Sequence, residues 1–443
     1  MTDSLASRPR PGRLPLDSVR VVDMTIVWAG PVGTMFLGDW GADVLKVEST
    51  QHFQTTSRGH TAHPTEENIR SVVGWRNTYV KDQAGARPWN RFALFQNHSR
   101  NKRSFTVDLT KPEGMRILET LIRVSDVIVE NNVPETMEKL GITYEWARSI
   151  RPDIIMVRMP AYGLTGQYKN YRSFGDHVES VSSHTWIRGY PDLDHSTKDS
   201  VFVADACGGV MAAFATVSAL QYRRRTGKGS FIELSLVENM IPSLGESIMD
   251  YTMNGRIQET LGNRDPFRVP QGCYPCKGPE HFCVISVGDE TEWVNFARAI
   301  GRPELLTDPR FATHNARRQN QDELDAIIAE WTQQHGHYEV MELLQKAGVT
   351  AGAVMDDADA YSDPHLKARN FFQVITQRDV GTYPYPGIMW KASKTPNRIR
   401  QPSIMLGEHN GYVYSELLGL PPTEYARLER EGHIGSEYAP HIP

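Results

Sequence analysis

The sequence predicts an α/β protein with a large domain, built on a doubly wound parallel sheet, and a second, smaller α+β domain. A strand–helix–strand unit with short links opens the chain at residues 19–47. Strands and helices then alternate up to about residue 230, the pattern of a parallel sheet covered by helices. After residue 236 the composition changes to Met-rich helical segments and then to short β-like runs with Pro, Gly and Cys, which is typical of a separate domain.

The first unit consists of a strand over 19–24, a helix over 31–40 that stops at Gly41, and a strand over 42–47. Its short links require a right-handed crossover and therefore a parallel pair. The link from Thr25 to Pro31 follows the carboxyl end of a strand, where open α/β sheets bind ligands, but its single glycine before Pro31 argues against NAD. The same pattern predicts strands at 105–109, 126–130 and 153–159, and helices from Pro112, at 134–140 and at 144–150.

These patterns set the predicted domain boundaries. Residues 1–235 form the N-terminal part of the large domain, 236–262 form linker helices, 263–365 form the small domain, and 366–443 return to the large domain. Residues 49–90 are polar and irregular, which predicts a long excursion over the surface.

Residues 201–236 contain the strongest candidate for a functional residue, Asp205. This acid lies between a predicted strand, 201–203, and a predicted helix that ends at Gly227. Asp205 has two interpretations at this position. It is either a helix N-cap or a carboxylate nucleophile, and the glycines that follow, Gly208 and Gly209, would let a ligand approach the backbone closely.

Composition narrows the class of protein. The net charge of −5 gives no reason to expect a nucleic-acid partner, and no apolar run approaches the length of about 18 residues that a membrane span needs. Residues 1–15 lack the apolar core of a signal peptide. Four cysteines in 443 residues fit a reducing compartment, so a cytoplasmic location is expected.

Three of the cysteines, Cys273, Cys276 and Cys283, lie near His281 and could form a zinc site. A structural zinc site usually draws a second ligand pair from beyond a longer loop, and here all candidates fall within one predicted hairpin. Buried cysteines on strands are the preferred interpretation, and no metal is expected.

Several stretches together resemble the family III CoA-transferases, the CaiB/BaiF family, which includes carnitine, formyl-CoA and benzylsuccinate CoA-transferases, with the α-methylacyl-CoA racemases as a related branch. They run in order along nearly the whole chain. The stretches are 19–48, 100–114, 126–141, 161–168, 201–215, 223–238, 362–372 and 406–421.

The resemblance implies a Rossmann-like large domain with the small domain inserted, and two chains interlocked as rings. It also implies that Asp205 is the catalytic aspartate. In that family the carboxylate attacks an acyl-CoA thioester to give a mixed anhydride, and CoA then returns through an aspartyl-CoA thioester. CoA and acyl-CoA are thus expected as substrates, with no permanently bound cofactor.

The resemblance further implies a set of CoA contacts. Each basic residue taken singly is also compatible with an ordinary solvated surface charge. The implied contacts are Trp28 and Ala29 on the loop after the first strand, Lys102 and Arg103 near the CoA phosphates, Asn131 and Asn132 after the strand at 126–130, and Lys139 near the CoA tail.

The chain also departs from the family. The racemase branch has a histidine just before the acid that matches Asp176, where this chain has Gly175, and His177 lies on the wrong side of that acid. Asp176 is either a supporting acid or a structural hydrogen-bonding group. The stretch 262–272 has fewer glycines than the lid of formyl-CoA transferases, which indicates either a different acyl group or only a different packing. It looks closer to members that act on larger acids, such as aryl-substituted succinates or carnitine-like acids.

Three hypotheses follow from the sequence. The first is a CoA-transferase that moves CoA from a donor such as succinyl-CoA to a carboxylic acid, acting as a homodimer or in a hetero-oligomer. The second is an acyl-CoA racemase, which Gly175 disfavours. The third is a non-catalytic CoA-binding subunit, which the presence of Asp205 disfavours.

Overall fold

A computed structural model describes residues 14–71, 78–197 and 202–442. The chain divides into two compact units. The larger unit contains the described residues of Met1–Ser183, Ser200–Ile248 and Asn370–Pro443, and the smaller unit those of His184–Asp199 and Met249–Arg369.

A six-stranded parallel sheet forms the centre of the larger unit. Its strand order, β3-β2-β1-β4-β5-β6, is that of the Rossmann fold, and each neighbouring pair is parallel. This confirms the predicted α/β fold class. The strands are β1 (Arg20–Asp23), β2 (Asp43–Glu48), β3 (Arg103–Thr106), β4 (Val127–Glu130), β5 (Ile155–Arg158) and β6 (Ser230–Glu233).

Helices cover both faces of this sheet, because β1, β2, β4 and β5 are buried on both sides and present apolar side chains in both directions. One core cluster joins Val22, Leu45 and Ile128 to helix α4 (Pro112–Arg123), and the other joins Val21, Val44 and Val127 to helices α1 (Ala29–Asp39) and α9 (Val203–Thr226). The helices of the larger unit before residue 245 are α1 (Ala29–Asp39), α2 (Glu66–Ser71), α3 (Ala93–His98), α4 (Pro112–Arg123), α5 (Pro134–Leu140), α6 (Tyr144–Ile150), α7 (Gly175–Val181), α9 (Val203–Thr226) and α10 (Leu236–Met240).

The smaller unit has an antiparallel sheet in the order β7-β8-β9 (Gln271–Pro275, Phe282–Ser286 and Thr350–Ala353), packed against helices. The predicted hairpin is confirmed, but of its three cysteines only Cys283, on β8, is both buried and on a strand. Cys273 lies half-buried on β7, and Cys276 is buried directly after β7. The helices of this unit are α8 (His184–Ile187), α12 (Glu290–Ala299), α13 (His314–Gln319), α14 (Gln321–Thr332), α15 (His337–Lys346), α16 (Asp357–Ser362) and α17 (Pro364–Ala368), while α11 (Gly245–Asn254) spans the boundary between the units.

The C-terminal segment returns to the larger unit through the hairpin β10–β11 (Phe372–Gln377 and Gly381–Pro386), a π-helical turn at Tyr412–Leu417 and α18 (Pro422–Arg430). It also corrects the prediction for residues 49–90. Phe53 and Trp89 are buried against Tyr438, and the fully buried Arg58 bonds to Glu48. Described parts of this polar stretch therefore form core, because a charge partner and aromatic side chains compensate its polarity.

Among the described residues, α9 is the one helix that is long and apolar enough to cross a membrane by length and composition. Core helices pass the same test. In this fold Ala204, Ala212 and Ala219 of α9 pack in the cluster that contains the sheet residues Val21 and Val127.

Candidate active site

Asp205 lies in the first turn of α9, where its side chain is almost fully buried. The helix begins at Val203, and Phe202 precedes it in a left-handed conformation with φ of 53°. The predicted strand 201–203 is therefore wrong at Phe202 and Val203, while Val201 lies outside the described residues. The N-cap interpretation of Asp205 is also wrong, because Phe202 occupies that position.

The backbone N–H groups of Ala29 and Gly175 lie beside the Asp205 carboxylate and lower its pKa. Each of these residues is the first residue of a helix, α1 and α7 respectively. The carboxylate thus lies where the N-terminal turns of three helices meet, and unpaired N–H groups of such turns favour a negative charge.

Gly175 is required at this position. A Cβ atom on it would lie 2.1 Å from Oδ2 of Asp205, so any side chain there would displace the carboxylate. The residue that departs from the racemase pattern is therefore also the residue that lets a backbone N–H group reach Asp205.

The charge state of Asp205 is strongly perturbed. Burial, followed by the neighbouring carboxylates of Glu179 and Asp176, raises the pKa of Asp205 to about 7, against the opposing effect of the two N–H donors. Glu179 is buried, and its Oε1 accepts the Ala204 N–H at 3.4 Å, in the first turn of α9. Sequence reasoning missed Glu179, although its spacing of three residues from Asp176 on a helix places both acids near one face.

The two glycines after Asp205 have a different role from the one predicted. A Cβ atom on Gly208 would lie 2.5 Å from Leu236, and one on Gly209 would lie 2.7 Å from Val32 and 2.8 Å from the carbonyl oxygen of Ala29. Both glycines therefore serve the close packing of α9 against its neighbours rather than the approach of a ligand.

A cavity of about 570 Å³ opens at the carboxyl ends of the central strands. Its walls include Met24 and Ile26 after β1, His52, and two of the predicted CoA contacts, Asn132 and Lys139. Lys139 is exposed on α5 and pairs with Glu135 at 2.6 Å across one helical turn. This cavity is at the edge of the sheet where α/β proteins of this topology bind ligands.

A short loop joins this cavity to Asp205. Ile26 lines the cavity, and Ala29, whose N–H lowers the pKa of Asp205, follows three residues later, at most about 11 Å along the chain. Between them, Trp28 stacks on Phe202 with ring centroids 5.2 Å apart. Asn131 fixes the loop, since its side chain accepts from the Ile26 N–H at 2.7 Å and donates to the Ile26 carbonyl at 2.9 Å.

Asn132 is held at the same edge. Its backbone N–H donates to Glu130 at 2.7 Å and its side-chain amide donates to the Met24 carbonyl at 3.2 Å. The residues that follow β1 and β4 thus meet beside the cavity, as the parallel order of these strands requires.

Two predicted CoA contacts lie elsewhere. The ammonium group of Lys102 is buried and uses its three hydrogens on Asp23, Thr34 and the Pro31 carbonyl, so it is not available to a phosphate group. Arg103 is the first residue of β3, at the amino-terminal edge of the sheet and opposite the cavity, where it pairs with Asp43 at 3.0 Å. For both residues the expected contact with CoA phosphates does not match their placement.

Comparison with known proteins identifies the family of the chain. The chain is 32% identical to the succinyl-CoA–D-citramalate CoA-transferase of Chloroflexus aurantiacus over 96% of this chain and 98% of that protein. It is 31% identical to the beta subunit of the succinyl-CoA–L-malate CoA-transferase of the same organism over 92% and 95%. A crystal structure of a CAIB/BAIF family protein from Brucella suis, 29% identical, superposes with a TM-score of 0.78 over 91% of this chain and 100% of that one. The model of CoA-transferase family III matches residues 16–410, and the chain therefore belongs to this family of CoA-transferring enzymes.

Proposed function

We propose that this enzyme moves CoA from succinyl-CoA to a short, hydroxylated dicarboxylic acid, with Asp205 as the nucleophile. The observation that carries the mechanism is a buried carboxylate of raised pKa, which lies against Gly175 at the start of α7 and is joined by a short loop to a cavity of about 570 Å³. The names of two relatives, which act with citramalate and malate, favour a short dicarboxylate over the larger aryl or carnitine-like acids.

In the first half of the reaction, the ionised Asp205 attacks the thioester carbonyl, the C–S bond breaks, and CoA leaves as a thiolate. The thiolate then attacks the Asp205 carbonyl of the mixed anhydride, which releases succinate and leaves an aspartyl-CoA thioester. In the second half, the acceptor carboxylate attacks that thioester, and the thiolate returns to the acceptor carbonyl and frees Asp205. The N–H groups of Ala29 and Gly175, which point at the Asp205 oxygens, would stabilise the oxyanion formed at this carbon.

The nucleotide portion of CoA is proposed to occupy the cavity beside Asn132 and Lys139, with the pantetheine arm running along the loop past Trp28 to Asp205. The exposed ammonium of Lys139 is suited to a phosphate group as a point charge. Racemisation is the weaker candidate, because no side chain fits at position 175, where that branch has its base.

A homodimer is proposed as the working assembly, and a heteromeric one remains the alternative because one relative is a beta subunit. Val210, Phe214 and Val217 lie at helical spacing on α9 and are 51%, 66% and 43% exposed in the single chain. An apolar stripe of this kind is typical of a surface that a second subunit covers. Light scattering of the purified chain should give twice the monomer mass, and a monomer that is active alone would contradict the proposal.

The covalent step is tested by intact mass after incubation with a panel of acyl-CoA thioesters, with hydroxylamine or borohydride as the trap. The wild-type enzyme should carry an adduct on the peptide that contains Asp205. Asp205→Ala should lose the adduct and CoA exchange while retaining CoA binding, whereas Asp176→Asn should still form the adduct at Asp205. An adduct on another acid, or exchange without any adduct, would refute the proposed nucleophile.

A further inference from the structure

Lys102 is a buried cation that the proposed reaction does not use directly. Its ammonium donates to Oδ2 of Asp23 at 3.1 Å, to the hydroxyl of Thr34 at 2.8 Å and to the carbonyl of Pro31 at 2.9 Å. Thr34 and Pro31 both belong to α1, so two of the three bonds hold that helix. Removing a lysine ammonium from water costs free energy unless its hydrogens find acceptors in the protein. Here each of the three ammonium hydrogens has one.

Asp23 extends this cluster to the start of the loop. Its Oδ1 accepts the Thr25 N–H at 2.9 Å and the Thr25 hydroxyl at 2.5 Å, while its Oδ2 accepts the Thr34 hydroxyl at 2.7 Å. A second buried lysine, Lys46, donates to the Thr25 carbonyl. The loop between β1 and α1 is therefore fixed at Thr25 by Asp23 and Lys46, and at Pro31 by Lys102.

The residues between these two points carry the contact with the nucleophile. Val27 has a φ of 65°, which is costly for a β-branched residue and persists only where surrounding contacts hold it. Two residues later, Ala29 begins α1, and its carbonyl oxygen lies 2.8 Å from the position that a Cβ atom of Gly209 on α9 would take. The Ala29 N–H lowers the pKa of Asp205. Without the hydrogen bond from Lys102 to the Pro31 carbonyl, fewer contacts would hold this loop in its strained conformation and keep the Ala29 N–H in place.

We propose that Lys102 is a positioning residue that holds the first turn of α1, and with it the Ala29 N–H, against the Asp205 carboxylate. This inference rests on the proposed function, in which Asp205 is the nucleophile. In this role Lys102 does not bind the CoA phosphates, as the resemblance implied. It supports the loop between β1 and α1 from the buried side and touches neither substrate nor reacting atoms.

The alternative is that Lys102 only stabilises the fold, and a matched control separates the two. Arg100 pairs with Asp39 at 2.9 Å, and Asp39 is the last residue of the same helix, α1. Both pairs are buried. Lys102→Met and Arg100→Met thus each remove the nearest cation of a buried carboxylate, one at the Asp205 end of α1 and one at the far end. Lys46 remains 4.0 Å from Asp23 in the first variant. The double variant Asp23→Asn/Lys102→Met removes both charges while an amide oxygen remains to accept from Thr25.

The experiment measures the rate of adduct formation at Asp205 with succinyl-CoA, together with kcat, KM and the pH profile, for each variant corrected for its folded fraction. We expect Lys102→Met and the double variant to lower kcat and adduct formation by about 10- to 100-fold, with KM for succinyl-CoA changed less than about threefold. The acid limb of the profile should move to higher pH, because the Ala29 N–H lowers the pKa of Asp205 against the charges of Glu179 and Asp176. Arg100→Met should keep the wild-type kcat and profile.

The outcomes are distinct. If Lys102→Met or the double variant forms the adduct at the wild-type rate with an unmoved acid limb, the inference is overturned and the proposed function stands. If Arg100→Met loses as much turnover as Lys102→Met, the role of Lys102 is only structural and the inference is likewise overturned. If the wild-type enzyme exchanges CoA with no adduct at Asp205, the proposed function fails first and takes the inference with it.

Discussion

Replacing Asp205 by asparagine should stabilise the protein more at alkaline than at acidic pH. The pKa of Asp205 is raised from 3.8 to about 7 by burial and by the charges of Glu179 and Asp176. The folded state therefore holds a proton that the unfolded state releases, and wild-type stability falls as the pH rises from about 4 through about 7. The asparagine side chain does not titrate, so the variant escapes this loss.

The size of the effect follows from the two pKa values. At about 1.36 kcal/mol per pKa unit, the difference between 3.8 and about 7 corresponds to about 4 kcal/mol in the free energy of unfolding. About 1.5 kcal/mol of this is already lost by about pH 5, because the unfolded chain has released its proton there. The remaining loss, about 2.5 kcal/mol, falls between about pH 5 and about pH 8.

The assay is urea unfolding of wild type and Asp205→Asn at equal protein concentration, with refolding verified at both pH values. The readout is how much the stability difference between variant and wild type changes from about pH 5 to about pH 8. The cost of placing an amide beside two N–H groups is the same at both pH values and therefore cancels. Asp153→Asn is the control. Burial raises the pKa of Asp153, but the hydrogen bond to Arg151 and the charges of Arg151 and Arg223 lower it by more, so its pKa lies below the usual value. The stability difference between Asp153→Asn and wild type should therefore not change between about pH 5 and about pH 8. A flat difference for Asp205→Asn as well, or one that favours wild type as the pH rises, would refute the assignment of a buried, protonated Asp205.

Three further substitutions test other parts of the site. Gly175→Ala would place a Cβ atom 2.1 Å from Asp205 and should lower kcat at least about 100-fold, whereas Gly411→Ala, which meets open space at an ordinary helical φ, should not; normal exchange by the first variant would contradict the geometry. Glu179→Gln removes a charge that raises the pKa of Asp205, so the acid limb of kcat/KM should move to lower pH, and an upward shift is the opposing result. Lys139→Glu should raise KM for succinyl-CoA several-fold at low salt with little change in kcat, and a KM within about twofold of wild type would remove Lys139 from the CoA site.

Local patterns in the sequence were sufficient for the elements that build the sheet. The apolar runs of β1 and β2, the glycine that ends α9 and the proline that opens α4 each express a preference of the backbone within a few residues. Asp205 was singled out by its position between a predicted strand and a predicted helix, and the resemblance of its neighbours in sequence to those of a known family implied its catalytic role. Its structural setting was not found, since the strand predicted before it gives way to a helix that begins at Val203.

The errors arise where partners lie far apart along the chain. Lys102 meets Asp23 across 79 residues, and nothing near Lys102 in the sequence distinguishes it from an exposed lysine that could bind phosphate. Arg58 has the same difficulty, because its burial depends on Glu48 and on the packing of Trp89 against Tyr438. Polar composition predicts exposure on average, but a charge with a well-placed partner follows tertiary structure instead.

The electrostatic setting of Asp205 combines two opposing demands on a nucleophile. A carboxylate attacks only when ionised, and the N-terminal turns of three helices, with the N–H groups of Ala29 and Gly175, keep that form accessible near neutral pH. Burial and Glu179 act the other way, so the ionised form lies about 4 kcal/mol higher than in water. Under the proposed mechanism this cost is relieved as the anhydride forms, because the charge leaves the buried oxygen for the CoA sulfur. The same surroundings that make Asp205 unstable as an anion therefore favour its reaction, which is why removing Glu179 should make ionisation easier and the attack itself slower.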